Sequence, residues 1–305
     1  MTFFDHFKPK WRNSNPDVRL EALVTTTDPT ILARLATGDI HPAIRKAAVE
    51  KIDDQAVLAR VIREDLDETV QRAALQRLTD SKLLAEIGQS EARWSLRQNA
   101  IKRIQDQLVL ADLALRASSW SVREAAVKRL TVQSVLFEIV RTEGEVAVRT
   151  AAVERMTEPT SLSELAMSDP SEPVRKIAVE RISDDGVLSE LALLAPSWAV
   201  RRIAVVRLNE PTVLVEVALT DQDPQVREVA VERLDDQEVL ADVAMNDRDH
   251  SVRNAAIRRL TNTDLLATIA CTDNDLVIRE IAGQRLRDLG DRLREAAAAL
   301  RTQES

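Results

Sequence analysis

The segment from Asp223 to Leu234 reads DPQVREVAVERL, and a variant of it returns every 26 residues along the chain. In each variant an aliphatic residue precedes Arg, and Ala follows three residues after that Arg. The Arg recurs at intervals of 26 or twice 26 residues: Arg19, Arg45, Arg97, Arg123, Arg149, Arg175, Arg201, Arg227, Arg253 and Arg279. Gln71 fills the doubled interval. The chain therefore holds eleven copies of one motif, without insertions.

We number each copy from 1 to 26, taking Asn15 as position 1 of the first copy. Positions 4, 8 and 12 are apolar in nearly every copy, as in Val122, Ala126 and Leu130. This spacing forms one stripe on an α-helix. Positions 13 and 14 are polar in nearly every copy, and Pro follows at position 15 in three copies, which predicts the start of a second helix. Apolar residues at positions 18, 21 and 22 give that helix its own stripe.

Helices of about ten residues are marginal in isolation, so each must bury its stripe against neighbouring helices. The sequence therefore predicts an all-α fold, an α-solenoid (superhelix) of eleven two-helix repeats over residues 15–286. Residues 1–14 are predicted to be an N-terminal aromatic cap, and residues 287–305 a C-terminal helix or cap. The aromatic residues of the first segment are Phe3, Phe4, Phe7 and Trp11. A short amphipathic anchor is the alternative for that segment.

The repeated segment, of which residues 223–234 are an example, resembles the second helix of a HEAT repeat. It is most similar to the short HEAT-like repeats that are also found in phycobilisome lyases, and the resemblance covers about nine-tenths of the chain. It implies that the Val-Arg helix lines the concave face. The opening residues 3–11 are similar to those of some bacterial HEAT proteins that continue into a coiled coil. HEAT repeats serve scaffolds, transport factors, lyases and DNA glycosylases, so the resemblance implies a fold rather than a function.

The composition of the chain argues against several classes of protein. The formal net charge of −8 argues against a protein that coats nucleic acid, because phosphate neutralisation needs surplus Lys and Arg. The single cysteine, Cys271, excludes an internal disulfide framework and is expected to be an inert thiol in the core. No apolar run approaches the length of a membrane span, and the first residues do not resemble a signal peptide. A cytoplasmic location is therefore predicted.

Arg or Lys forms two rows along the repeats, at positions 5 and 11. Acidic residues recur nearby, at position 14 and shortly before position 1 of the next copy. Examples of the two acidic sets are Asp54 and Asp65. We expect ion pairs between these rows that set the register of stacking. The alternative, a continuous phosphate-binding track, is disfavoured by the matching acids.

Positions 2, 6 and 10 lie opposite the buried stripe of the Val-Arg helix, and there the sequence stops being repetitive. Aromatic, aliphatic and basic residues gather at these positions and at position 7, as in many protein interfaces. The predicted partner-binding residues are Trp94, Lys102, Trp120, Lys128, Ile177, Trp198, Arg202, Ile203, Val206 and Val229. An alternative for the three Trp residues is packing over the helix N-terminus or the preceding turn.

No catalytic constellation is visible in the sequence. The three histidines, His6, His41 and His250, lack metal-ligand spacing, and six scattered glycines form no phosphate loop. We therefore predict a non-enzymatic protein-binding scaffold that uses the concave face and needs no cofactor. One alternative is a nucleic-acid-binding protein of the glycosylase-like kind, with Trp stacking on a base and Arg on phosphate. Another is a bilin-lyase-like subunit.

Overall fold

The computed structural model describes residues 9–90 and 92–303, and Phe3, Phe4 and Phe7 of the predicted aromatic cap lie outside them. Over the described residues the fold is all-α, as predicted: a short 3-10 turn, Lys10–Arg12, precedes twenty-one α-helices. Trp11 in that turn lies near Arg34 of the first copy, with the guanidinium carbon 5.5 Å from the ring centroid.

Two kinds of helix alternate along the chain. The B helices contain the Val-Arg motif and begin at position 2 of each copy: α1 (Pro16–Thr25), α3 (Pro42–Val49), α5 (Glu68–Arg77), α7 (Trp94–Arg103), α9 (Trp120–Val127), α11 (Val146–Val153), α13 (Glu172–Arg181), α15 (Trp198–Arg207), α17 (Pro224–Arg233), α19 (His250–Arg259) and α21 (Leu276–Gln303). The A helices begin at position 15: α2 (Pro29–Gly38), α4 (Gln55–Glu64), α6 (Ser81–Gln89), α8 (Gln107–Arg116), α10 (Gln133–Thr142), α12 (Pro159–Ser168), α14 (Asp185–Leu194), α16 (Pro211–Thr220), α18 (Gln237–Asn246) and α20 (Thr263–Thr272).

The polar residue at position 14 explains why eight of the ten A helices begin where they do. The carboxylate of Asp54 accepts hydrogen bonds from the backbone N–H groups of Ala56 and Val57, which have no partner inside the helix. Side chains cap α2, α4, α6, α8, α12, α14, α18 and α20 in the same way. The expectation that the position-14 acids pair with the Arg rows is therefore wrong, because these carboxylates are helix caps.

The chain forms two compact units, divided between Met156 and Thr157. The first contains α1 to α11, and the second contains α12 to α21. Within each unit an A helix packs against the B helix that follows it, as α2 packs on α3 and α14 on α15. Successive B helices also stack on one another, and so do successive A helices. The structural hairpin therefore joins the A helix of one copy to the B helix of the next.

Position 8 is Ala in all eleven copies, and this side chain is completely buried in ten of them. Its neighbours at positions 4, 9 and 12 are larger and also buried, as in Val226, Val231 and Leu234. A methyl group at the centre of the buried stripe lets the stacked helices approach closely, while the larger neighbours fill the space around it.

The eleventh copy departs from the predicted pair of helices. Its B helix, α21, runs on for 28 residues through the positions where other copies end their helix and begin the next. Asp288 occupies the usual capping position, but its carboxylate accepts a hydrogen bond from Gln284 one turn earlier. This side chain does not cap a new helix, and residues 287–303 continue α21.

Among the residues that the structure describes, no helix combines the length and the apolar character needed to cross a membrane.

Enlarging the position-8 side chain should destabilise the stack. We expect Ala230→Leu to lower the free energy of unfolding by about 2 kcal/mol, because a fully packed core admits extra methylene groups only with strain. Gln225→Leu on the exposed face of the same helix is the matched control and should be nearly neutral. Urea denaturation followed by circular dichroism measures both, and equal midpoints for the two variants would contradict this account of the packing.

Candidate partner-binding surface

In most copies the position-5 Arg joins the loops that precede two successive B helices. The Nη1 group of Arg201 donates to the carbonyl of Ala195, 2.9 Å away in the loop before its own helix. Its Nε and Nη2 groups donate to the carboxylate of Asp221 in the next loop, at 2.7 and 2.9 Å. We call this pair, a position-5 Arg and a position-25 acid twenty residues later, a rung.

The acid of a rung also organises its own loop. The backbone N–H of Asp223 donates to Oδ1 of Asp221 at 2.8 Å, so the carboxylate is held by the guanidinium and by one backbone donor. The predicted ion pairing from the position-5 row is confirmed. The described rungs are Arg19–Asp39, Arg45–Asp65, Arg123–Glu143, Arg201–Asp221, Arg227–Asp247 and Arg253–Asp273.

The pKa of the acid is lowered in two rungs, at Asp39 and at Glu143. The hydrogen bond from Arg123 lowers the pKa of Glu143, and this effect outweighs the opposing effect of burial. Burial, the largest influence on Asp39, would raise the pKa of this carboxyl group. Hydrogen bonds from Arg19 and from the N–H of His41 nevertheless leave that pKa below its ordinary value. Both acids are therefore more stable as carboxylates in the folded protein than in an unfolded chain.

The second cationic row, at position 11, has a different role. Its side chains donate to backbone carbonyls at the C-terminal end of the preceding B helix. Arg207 donates from Nη2 to the carbonyl of Ile182 at 2.9 Å, and Arg233 from Nη1 to the carbonyl of Val206 at 2.8 Å. Carbonyl groups at this end of a helix lack partners inside it, and the helix dipole favours a cation there. These guanidinium groups therefore stabilise the stacking of successive B helices.

Of the ten rung positions that link successive copies, three are altered in sequence, and a Trp follows each of the three. Gln71 replaces Arg in the first, while Ala117 and Ala195 replace the acids that would face Arg97 and Arg175. The B helices that begin three residues after the acid positions of these rungs start with Trp94, Trp120 and Trp198. In the seven copies that follow an Arg–acid sequence pair, position 2 is Pro, Glu, Val, His or Leu. An altered rung therefore coincides with Trp at position 2 of the next copy.

In the second unit, Arg175 retains half of the rung. Its Nη1 donates to the carbonyl groups of Asp169 and Pro170 at 2.7 and 3.2 Å, as in complete rungs. Its Nε is buried and has no hydrogen-bond partner among the described residues, and Ala195 provides no carboxylate at the acid position. Trp198, at the first residue of α15, has 42% of its surface exposed.

In the first unit, Arg97 also lacks an acid. Its guanidinium carbon lies 5.6 Å from the ring centroid of Trp94, which provides a cation–π contact, and its buried Nε has no partner in the described part of the chain. Trp94 and Trp120 are 55% and 48% exposed. Large exposed aromatic rings on successive B helices are a feature of interaction surfaces.

The other predicted site residues divide between the units. In the first, Lys102 is exposed, and Lys128 forms an ion pair with Glu124, with 2.6 Å between Nζ and Oε1. In the second, Arg202 and Val206 are exposed on α15 beside Trp198. The position-7 residues are half-buried: Ile177, Ile203 and Val229. Four predicted residues thus lie in the first unit and six in the second, so each set must be considered as a separate surface.

Sequence reasoning missed an apolar stripe at position 23, near the C-terminal ends of the A helices of the second unit. Its members are Met167, Leu193, Leu219, Met245 and Cys271. All are exposed except Met167, which is half-buried. A hollow between successive loops is lined by Leu193 and by the Arg201–Asp221 rung. The expectation of a buried Cys271 is wrong, because position 23 lies just beyond the buried stripe of the A helix.

Acidification should weaken the Arg123–Glu143 rung. Because the pKa of Glu143 is lowered from its ordinary value of 4.5, its pairing stabilises the fold above that pH, and the contribution is lost as pH falls through the lowered value. We expect Glu143→Gln to lower the melting temperature near about pH 7 and to differ less from the unmodified protein near about pH 3. Thermal melts across this range test it. Glu154→Gln, at an exposed site, is the control. A pH-independent difference between Glu143→Gln and the unmodified protein would contradict the pairing.

No family model matches the chain, and no curated protein matches it. Among solved structures, it is similar to one concerned with features of the UNC-45 chaperone critical for binding and folding muscle myosin, at 12% identity and a TM-score of 0.35. The match covers 93% of this chain and 46% of that chain, so this chain spans less than half of that structure's length. Such a likeness adds nothing to the all-α repeat fold described above, and the phycobilisome-lyase type of repeat stays a prediction of the sequence.

Proposed function

We propose that the protein is a non-enzymatic, cytoplasmic scaffold that binds a protein partner beside its three Trp-bearing loops. The observation that carries this proposal is the coincidence of exposed Trp94, Trp120 and Trp198 with the three altered rungs. The cytoplasmic location rests on the presence of one cysteine in 305 residues, which fits a reducing compartment.

Stability alone does not account for this arrangement. A complete rung joins two loops by charge-assisted hydrogen bonds, each of which contributes roughly 1.5–3 kcal/mol when partly buried. Pro at position 2 begins a B helix well, as Pro224 does in α17. Replacing these features by Ala and by an exposed Trp gives up stabilising interactions and exposes apolar surface. Such departures from local rules are expected at functional sites.

The proposed surface includes the exposed residues that follow each Trp on its B helix. On α15 these are Arg202 and Val206, at positions 6 and 10, and on α7 and α9 they include Lys102 and Lys128. Position 10 is exposed in every copy. The resemblance to HEAT repeats assigns this side of the B helices to the concave face, and we adopt that assignment for the scaffold.

The paired state of the cations favours a protein partner over nucleic acid. On the B helices of the first unit, Lys46 lies 3.8 Å from Glu50, and Arg72 pairs with Glu68. Lys128 pairs with Glu124, and the described rung guanidinium groups are engaged with acids. A phosphate backbone would have to compete with these internal carboxylates along the whole row.

Partner capture tests the proposal. We expect the protein to retain a partner from native extract after nuclease treatment. Trp94→Ala/Trp120→Ala in one variant, or Trp198→Ala in another, should lower recovery at least about tenfold, as for interface hot spots. Leu276→Ala is the matched control: Leu276 is an exposed position-2 residue that follows a complete rung. Full recovery with all three Trp residues replaced, or recovery that depends on intact nucleic acid, would refute the scaffold proposal.

A further inference from the structure

The complete rungs show which chemical group the loops are built to hold. In the second unit, the Asp221 carboxylate accepts from Nε and Nη2 of Arg201 and from the N–H of Asp223. Asp247 is held in the same manner by Arg227 and by the N–H of Asp249. In each complete rung of the sequence the group is the carboxylate of Asp or Glu. The recurring receptor therefore consists of a guanidinium fork and one backbone donor.

At Arg175 the donors of this receptor remain and the carboxylate is missing. Nη1 is anchored to the loop carbonyl groups, as in the complete rungs. Nε is buried without a partner, while Nη2, which also lacks a partner among the described residues, is not buried. The N–H of Ser197, which corresponds to that of Asp223, has no acceptor in the described structure. Ala195 supplies a methyl group where the other copies supply an acid.

We propose that Arg175 and the N–H of Ser197 bind an Asp or Glu side chain of the partner, which completes the rung in trans. This inference rests on the proposed scaffold function and specifies the chemistry of its partner. Trp198 begins the helix directly after Ser197, and Leu193 is exposed just before Ala195, so apolar groups flank the charged receptor. The partner segment therefore carries one carboxylate with apolar residues beside it.

The first unit contains a second, less organised copy of this receptor. Arg97 faces Ala117, the N–H of Ser119 takes the place of the Ser197 donor, and Trp120 follows. No described hydrogen bond anchors the Arg97 guanidinium to the preceding loop, and it lies against the Trp94 ring. We expect this receptor to bind a carboxylate more weakly, because the guanidinium must first be reoriented.

The receptor can be tested with a defined probe, N-acetyl-aspartate amide, and with N-acetyl-asparagine amide as the uncharged control. NMR of the arginine Nε–H groups reports binding at each rung. We expect saturable shifts of the Arg175 signal with the aspartate probe and none at Arg201, whose rung is complete. The asparagine probe should leave both signals in place. An unshifted Arg175 signal, or equal shifts at Arg175 and Arg201, would overturn the inference.

Two substitutions of Ala195 change the acid position of the Arg175 rung without removing Trp198. Ala195→Asp supplies the carboxylate in cis, so it should abolish the Arg175 shift and raise the melting temperature. Ala195→Asn has nearly the same shape without the charge and should not raise the melting temperature as much. Asp221→Ala removes the carboxylate of the complete Arg201 rung, and the aspartate probe should then shift the Arg201 signal. An unchanged Arg175 shift in folded Ala195→Asp would exclude the site.

Partner capture separates this inference from the scaffold proposal. If the receptor binds a partner carboxylate, Ala195→Asp should lower recovery at least tenfold while the protein remains folded. If Trp198→Ala loses the partner and Ala195→Asp retains it fully, the scaffold proposal stands and the carboxylate inference is wrong. If both variants retain the partner, the partner does not bind beside Trp198, and the scaffold proposal is wrong for this loop. A shift of the Arg175 signal with the aspartate probe would then show a carboxylate site that this partner does not use.

Discussion

Helices of eight to ten residues cannot persist alone, and this constraint governs the whole molecule. Each helix is stable only when its apolar stripe lies against the next copy, so all eleven copies must keep the same register. Ala at position 8 allows the close approach that this stacking requires. Apolar contact alone tolerates sliding, whereas hydrogen bonds between charged groups fix one geometry. The rungs provide that specificity at the loops between A and B helices.

Rungs therefore link the fold to its proposed function. At Asp221, in a complete rung, one internal carboxylate accepts hydrogen bonds from the guanidinium and from the backbone donor of the loop. A loop without the acid keeps the donors and presents an exposed Trp beside them, as at Ala195 and Trp198. The same local geometry thus serves as a structural joint in most copies and as a candidate receptor in a few. A repeat protein can acquire a binding site in this way by substitutions at two nearby positions, as at Ala195 and Trp198.

The sequence predicts the repeat length, the helix starts and the buried stripe, because these depend on local periodicity and capping. It does not distinguish the two sets of acids. Asp54 and Asp65 are both near Arg residues in the chain, yet one caps a helix and the other completes a rung with Arg45. That distinction depends on which loops stacking brings together. The substitutions at Ala117 and Ala195 are visible in the sequence, but their meaning appears only when the acid that belongs to each rung is known.

Two further differences have physical causes. Cys271 is one position beyond the buried stripe of a short helix, and at that distance a helix turns a side chain from the core towards solvent. In the last copy the side chain at the capping position bonds within the helix, and α21 runs through the position where other copies begin a new helix. The predicted site residues lie on the B helices as expected from the helical wheel. Their distribution over two units follows from the division of the chain, which periodicity does not reveal.

Amide hydrogen exchange in the unmodified protein tests the central claim most directly, namely that altered rungs leave loop donors unsatisfied. The N–H groups of Ser197 and Asp223 occupy equivalent positions in the second unit, and only the latter has a carboxylate acceptor. A charge-assisted hydrogen bond of at least roughly 1.4 kcal/mol corresponds to about tenfold protection. The account predicts a protection factor at least that much lower at Ser197 than at Asp223. Equal protection at the two amides would contradict it.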